Sequence, residues 1–201
     1  EYHSMGARFA KWRAVIAIGD GMPSRTAIET NAHALARYAA LCQEAGIVPI
    51  VEPEVLMDGA HTIERCQEVT EETLNAVYEQ LFVQNVLLEG TILKPNMVVA
   101  GSACKTQATM QQVAEATIRS LRRCVPGAVP GIAFLSGGQE EADSTAHLNA
   151  MNALGAQPWE VSFSYGRALQ HSALNAWAGK AENVKKAQAI YLHRAKMNSL
   201  A

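Results

Sequence analysis

Chemistry is most legible in this sequence where charged residues interrupt or end apolar runs, because an ionic side chain buried without a partner costs several kcal/mol. Lys11 and Arg13 stand two apart in one such run, and Glu52 and Glu54 two apart in another. In extended chain each pair projects from one face, so neighbouring strands could set two bases against two carboxylates. Lys94 ends the run Leu87-Leu-Glu-Gly-Thr-Ile-Leu93. Apolar surroundings there favour the neutral amine, the form that attacks a ketone carbonyl to make an imine, and the charges of Lys11 and Arg13 across the same cavity would favour it further. Glu52, Glu54 and Glu89 could move the protons that carbinolamine formation and dehydration require, and spacing does not choose among them. For any one pair a structural ion pair is an equal reading, and a lone lysine at a strand end most simply reaches out to solvent. Polar residues recurring at successive strand ends shift the balance toward chemistry.

Two further strand ends have the composition of an anion site. Ser136-Gly137-Gly138 and Tyr165-Gly166-Arg167 combine glycines, which let backbone N–H groups approach a ligand, with a guanidinium that can grip a phosphate in bidentate fashion. Loops after the last two strands of a (β/α) barrel frequently bind phosphate, although Ser-Gly-Gly alone is more often a turn.

Elements able to position these residues follow from the alternation of short apolar runs with longer amphipathic ones, the pattern of βα units on a parallel sheet. Strands are expected at 12–18, 47–51, 86–93, 131–135 and 159–163, with Glu52-Pro-Glu54 closing the second and Lys94-Pro95 the third. Helices are expected from Ser24 to Gly46, at 63–82, around Val113 to Leu121, at 141–153, and as a terminal pair over 168–200. No repeat or linker divides the 201 residues, so a single domain is expected, and five units are too few to close an eight-stranded barrel.

Composition narrows the function classes. A net charge of -2 and a pI near 6.3 argue against a nucleic-acid or membrane partner, which would need a concentrated basic face. Cys42, Cys66, Cys104 and Cys124 form no CxxC pair, and His3, His33, His61, His147, His171 and His193 show no ligand spacing, so neither a metal site nor a disulfide framework is expected. No apolar run approaches the roughly 18 residues of a membrane span, and the N-terminus lacks a signal-peptide core. A cytoplasmic protein is expected, with a plastid address left open.

In order along the chain, Phe9-Ala-Lys11-Trp-Arg13, Gly46-Ile-Val-Pro-Ile-Val-Glu52-Pro-Glu54, Leu88-Glu-Gly-Thr-Ile-Leu-Lys94-Pro-Asn-Met97, Phe134-Leu-Ser136-Gly-Gly-Gln139 and Phe163-Ser-Tyr-Gly-Arg167-Ala-Leu169 resemble class I fructose-bisphosphate aldolase. The resemblance implies a TIM (β/α)8 barrel, class α/β, of which this chain supplies about the last five units. It implies that Lys94 forms the Schiff base with dihydroxyacetone phosphate and that Glu52 transfers protons. Lys11 would stand near the reacting centre, Arg13 near the second phosphate and Glu54 beside them as ionic partner. Ser136, Gly137, Gly138, Tyr165, Gly166 and Arg167 would then hold a sugar phosphate. Reversible cleavage of fructose 1,6-bisphosphate, without metal or cofactor, in a homo-oligomer is the implied activity. By the same resemblance, an aspartate and a lysine on earlier strands, and a tail ending in tyrosine, are family features outside this sequence. Two other readings compete: a catalytically inactive aldolase-like fragment acting by partner binding or oligomer packing, and a different Schiff-base barrel lyase of transaldolase type.

Overall fold

A computed structural model describes all of residues 1–201. Five strands, β1 (Phe9–Ile16), β2 (Val48–Val55), β3 (Ile92–Leu93), β4 (Gly131–Phe134) and β5 (Glu160–Phe163), lie in sequence order in one parallel sheet. Helices α1 (Arg25–Glu44), α2 (Ile63–Val83), α3 (Met110–Cys124) and α4 (Glu141–Ala153) fill the crossovers, while α5 (Arg167–Trp177) and α6 (Val184–Leu200) follow β5. Right-handed crossovers between adjacent strands taken in order put the crossover helices on one face of the sheet. That is the layout of a stretch of (β/α)-barrel wall, with the opposite face of the sheet turned to the lumen.

Helix starts are fixed by local chemistry. Ser24 caps α1 by accepting the Ala27 N–H at 3.2 Å, Thr62 caps α2 by accepting that of Arg65 at 3.3 Å, and Thr109 with Gln112 forms a reciprocal capping box on α3. Each helix then turns an apolar stripe to the sheet, as Ile28, Ala32, Leu35, Ala36 and Ala39 do from α1. The largest core cluster lies under β3 to β5 and includes Leu93, Met97, Leu121, Ile132, Phe134 and Met151; a second, around Leu35, Val51 and Leu81, lies under β1 and β2. Arg194 of α6 donates to Thr145 Oγ1 at 2.8 Å and to the Ala168 carbonyl at 3.2 Å, which seats that helix against α4 and α5. No helix is long and apolar enough to cross a membrane.

The structure departs from the sequence expectation in three strands. β1 begins at Phe9, paired with Val48, rather than at residue 12. β2 does not close at Glu52-Pro53-Glu54 but runs through them to Val55. The reason is directional: Val48 N–H donates to Arg8 and Leu56 N–H to Ile16, so even-numbered residues of β2 bond toward β1 and the missing Pro53 N–H falls on the β3 side. The expected strand at 86–93 shrinks to Ile92–Leu93, behind a 3-10 turn at Leu88–Gly90. Gln43 of α1 captures that segment, accepting from Leu87 N–H at 3.0 Å and donating to the Leu87 carbonyl at 2.7 Å, so its backbone groups are satisfied without a ladder.

Candidate active site

Register between β1 and β2 sets Arg13 opposite Glu52 and Lys11 opposite Ile50, which places both bases and both carboxylates on the lumen face. Lys11 Nζ lies 2.7 Å from Glu52 Oε2, and Arg13 Nε donates to Glu54 Oε2. From the end of β3, Lys94 Nζ lies 3.3 Å from Glu52 Oε1. One carboxylate therefore stands between two lysines, with one oxygen turned to each. Glu52 and Glu54 are buried at 3% and 4% exposure, whereas the Lys11 and Arg13 side chains are 43% and 47% exposed. Acid groups thus form the floor and basic groups the rim. The Glu54 hydrogen bond holds the Arg13 guanidinium above its ordinary value, so Arg13 is a permanent positive charge at that rim. A carboxylate this close to two amines can take a proton from one and pass it to the other. Glu89 has no part in this: it is exposed on the 3-10 turn before β3, at the end of the strand away from Lys94.

At the ends of β4 and β5 the anion-site residues divide. Gly137 and Gly138 take φ of +58° and +95°, a left-handed turn that leaves little room for side chains. A Cβ on Gly137 would meet Leu135 Cδ1 at 3.0 Å and come within 3.9 Å of Glu54 Oε1, so this turn borders the carboxylate floor. A Cβ on Gly138 would lie 3.8 Å from Arg167 Nη2 and 3.5 Å from Met57 Sδ, which brings Arg167 over the turn. Ser136 is buried at the start of the turn, its carbonyl accepting the Gln139 N–H at 2.9 Å. Gly166 caps α5 and Arg167 opens it, so the helix N-terminus and the guanidinium offer positive character together. A notch of about 150 Å³ separates Gly138 and Gln139 from Arg167, Ala168 and His171. Glu141, at the same notch, is occupied: it accepts the Ser172 N–H at 2.8 Å and faces Arg194 Nε at 3.7 Å.

Tyr165 departs from expectation. Its ring is 6% exposed within the main core, and its hydroxyl donates to the Ser144 carbonyl of α4 at 2.9 Å, so its side chain packs the wall instead of lining the site. Burial raises its phenol well above the ordinary range.

The model of the family "Glycolytic: Fructose-bisphosphate aldolase class-I" matches residues 1–201. This chain belongs to the class I fructose-bisphosphate aldolases. It is 59% identical over 202 residues to a probable class 1 aldolase of Xanthomonas axonopodis pv. citri, covering all of this chain and 60% of that relative. To the fructose-bisphosphate aldolase of Dictyostelium discoideum it is 57% identical, covering 57% of that protein, and to the cytosolic aldolase 4 of Arabidopsis thaliana 57%, covering 51%. Among solved structures, the Plasmodium falciparum aldolase, crystallised with TRAP and a small-molecule inhibitor, superposes with a TM-score of 0.97 at 54% identity, over 99% of this chain and 58% of that one. The chain therefore spans between 51% and 60% of the length of these aldolases.

Two residues close to the site escaped the sequence reading. Met57, in the loop after β2, packs beside Gly138 and Arg167, and nothing in its local sequence marks it. Asn96, two residues after Lys94, is 5% exposed and makes three hydrogen bonds. A polar residue in an apolar stretch was its available signal.

Proposed function

We propose that this chain carries the imine-forming half of a class I aldolase site, with Lys94 as the nucleophile. The observation that carries the reading is the pair of distances around one buried carboxylate: Glu52 Oε1 to Lys94 Nζ at 3.3 Å and Glu52 Oε2 to Lys11 Nζ at 2.7 Å. The neutral Lys94 amine adds to the carbonyl of dihydroxyacetone phosphate. Glu52 then delivers the proton with which the carbinolamine hydroxyl leaves as water. The protonated imine is an electron sink. In the whole enzyme it receives the pair released when a base takes the C4 hydroxyl proton and the C3–C4 bond of fructose 1,6-bisphosphate breaks; glyceraldehyde 3-phosphate departs, the enamine is protonated at C3, and water hydrolyses the imine to return dihydroxyacetone phosphate and the free lysine.

Lys11, on the second oxygen of Glu52, supplies the proton that Glu52 passes on, and Glu54 keeps Arg13 aimed along the rim. Ser136, Gly137, Gly138, Gly166 and Arg167 take one phosphate through backbone N–H groups, the α5 N-terminus and the guanidinium, and Arg13 takes the other. Relatives named cytosolic or cytoplasmic support a cytoplasmic setting, and the homo-oligomer expected from the family completes the reading.

Mass spectrometry after borohydride reduction with dihydroxyacetone phosphate tests it. A single adduct on the wild-type chain that vanishes in Lys94→Ala is expected. A folded chain that gains no adduct, or an adduct that persists without Lys94, overturns the assignment.

A further inference from the structure

The lysine–carboxylate group sits where the hydrogen bonding of the sheet is interrupted. Odd-numbered residues of β2 bond toward β3, and Lys94 N–H donates to the Val51 carbonyl at 2.8 Å. The next residue in that series is Pro53, and the chain after Lys94 continues with Pro95; neither has an N–H to give. Regular pairing accordingly ends at Val51 with Leu93. Lys94 projects at this gap between β2 and β3, and Glu52 and Glu54, still paired with β1, border it.

Beyond the gap, Val55 N–H finds a side chain in place of a backbone carbonyl: Asn96 Oδ1, at 3.0 Å. The Nδ2 of the same carboxamide donates to Thr70 Oγ1 of α2 and to the Met97 carbonyl, each at 3.1 Å. One buried amide thus ties the end of β2, the helix behind it and the chain just past Lys94. Residues two apart in an extended chain share a face, yet Lys94 reaches Glu52 in the lumen while Asn96 reaches α2 behind the sheet. The chain must rotate through Pro95, and the three hydrogen bonds of Asn96 fix how far.

We propose that Asn96 is a positioning residue for Lys94: its carboxamide replaces the missing ladder and sets the separation of Lys94 from Glu52. This rests on the Schiff-base reading given above. A displacement of about 1 Å at a reacting group can lower a rate by up to about 10²-fold, so a strap of this kind has kinetic weight.

The test compares wild type with Asn96→Ala, Thr70→Val and Thr70→Ser. Thr70→Val removes the hydroxyl that accepts from Asn96 at nearly constant volume and leaves the lumen untouched; Thr70→Ser keeps the hydroxyl. Borohydride trapping of dihydroxyacetone phosphate is followed by mass spectrometry across substrate concentration. The trapping rate at saturation is expected to fall about tenfold in Asn96→Ala and about threefold in Thr70→Val, with unchanged half-saturation, and to recover in Thr70→Ser. Variants with lowered melting temperature but wild-type trapping would make Asn96 a merely structural amide and overturn the proposal. If Asn96→Ala does not fold, the Thr70 pair decides alone. If wild type itself forms no adduct, the Schiff-base reading fails separately, and acetylation by acetic anhydride then decides: a Lys94-to-Lys11 labelling ratio unchanged by Thr70→Val overturns the positioning role, and a changed ratio sustains it.

Discussion

Gly101→Ala should unlatch the two loops that frame the lumen behind Lys94. The loop after β2 and the loop after β3 are joined by three backbone hydrogen bonds: Gly101 N–H to the His61 carbonyl at 2.8 Å, Ser102 N–H to Met57 at 2.7 Å and Ala103 N–H to Gly59 at 2.8 Å. A Cβ on Gly101 would lie 2.3 Å from Gly59 O, 2.8 Å from Gly59 C and 3.0 Å from His61 N. All three are backbone atoms, so no side chain can swing aside, and ordinary contact requires a separation of about 1 Å. Opening that much weakens bonds worth about 1 kcal/mol each and adds overpacking of about 1–3 kcal/mol, against which the lower entropy of an unfolded alanine returns less than about 1 kcal/mol. The net loss is about 2–4 kcal/mol, a fall in melting temperature on the order of 10 °C for a chain of this size. Urea unfolding measures it, with Gly127→Ala as control, because a Cβ there meets only Pro158 at 3.6 Å. A loss below about 0.5 kcal/mol in Gly101→Ala would refute the steric argument.

Other consequences follow from the same geometry. Tyr165→Phe should destabilise the fold by about 1 kcal/mol, through loss of the donor to the Ser144 carbonyl, and leave imine trapping unchanged; impaired trapping at wild-type stability would return Tyr165 to the site. Arg167→Lys, losing the planar fork while keeping the charge, should raise the half-saturation for dihydroxyacetone phosphate roughly tenfold with little change in melting temperature. Glu52→Gln should lower the trapping rate at least about 10²-fold, since the amide cannot shuttle a proton between Lys11 and Lys94; trapping within threefold of wild type would remove Glu52 from its role. Burial holds His61 and His147 below the ordinary imidazole value of 6.5. The unfolded chain therefore binds more protons as pH drops through 6.5, and stability should be full above that pH and decline below it. Urea midpoints that stay flat from pH 7.5 to about 5.5 would contradict this.

What the sequence disclosed, and what it withheld, divides by the distance over which each residue finds its partner. The bounds of α4 and the cap at Ser24 were legible because helix periodicity and N-capping act within a few residues. The facing of Lys11 and Arg13 with Glu52 and Glu54 was legible for a related reason: an i, i+2 spacing fixes a face, and adjacent parallel strands do the rest. β3 misled because its apolar composition is indifferent to pairing, and the group that satisfies Leu87 is the side chain of Gln43, 44 positions away. Tyr165 misled in the same way, its hydroxyl committed to a carbonyl 21 positions earlier. Asn96 shows why site geometry is harder to read than site chemistry. Lys94 and Glu52 declare themselves by type, because buried charge demands a reason. The amide that aims Lys94 declares nothing until Pro53 and Pro95 are seen to remove the ladder around it, and that depends on which side of β2 each N–H points. Parity along one strand, set by its register with its neighbours, thus decides whether a proline there breaks a strand or leaves a gap beside Lys94.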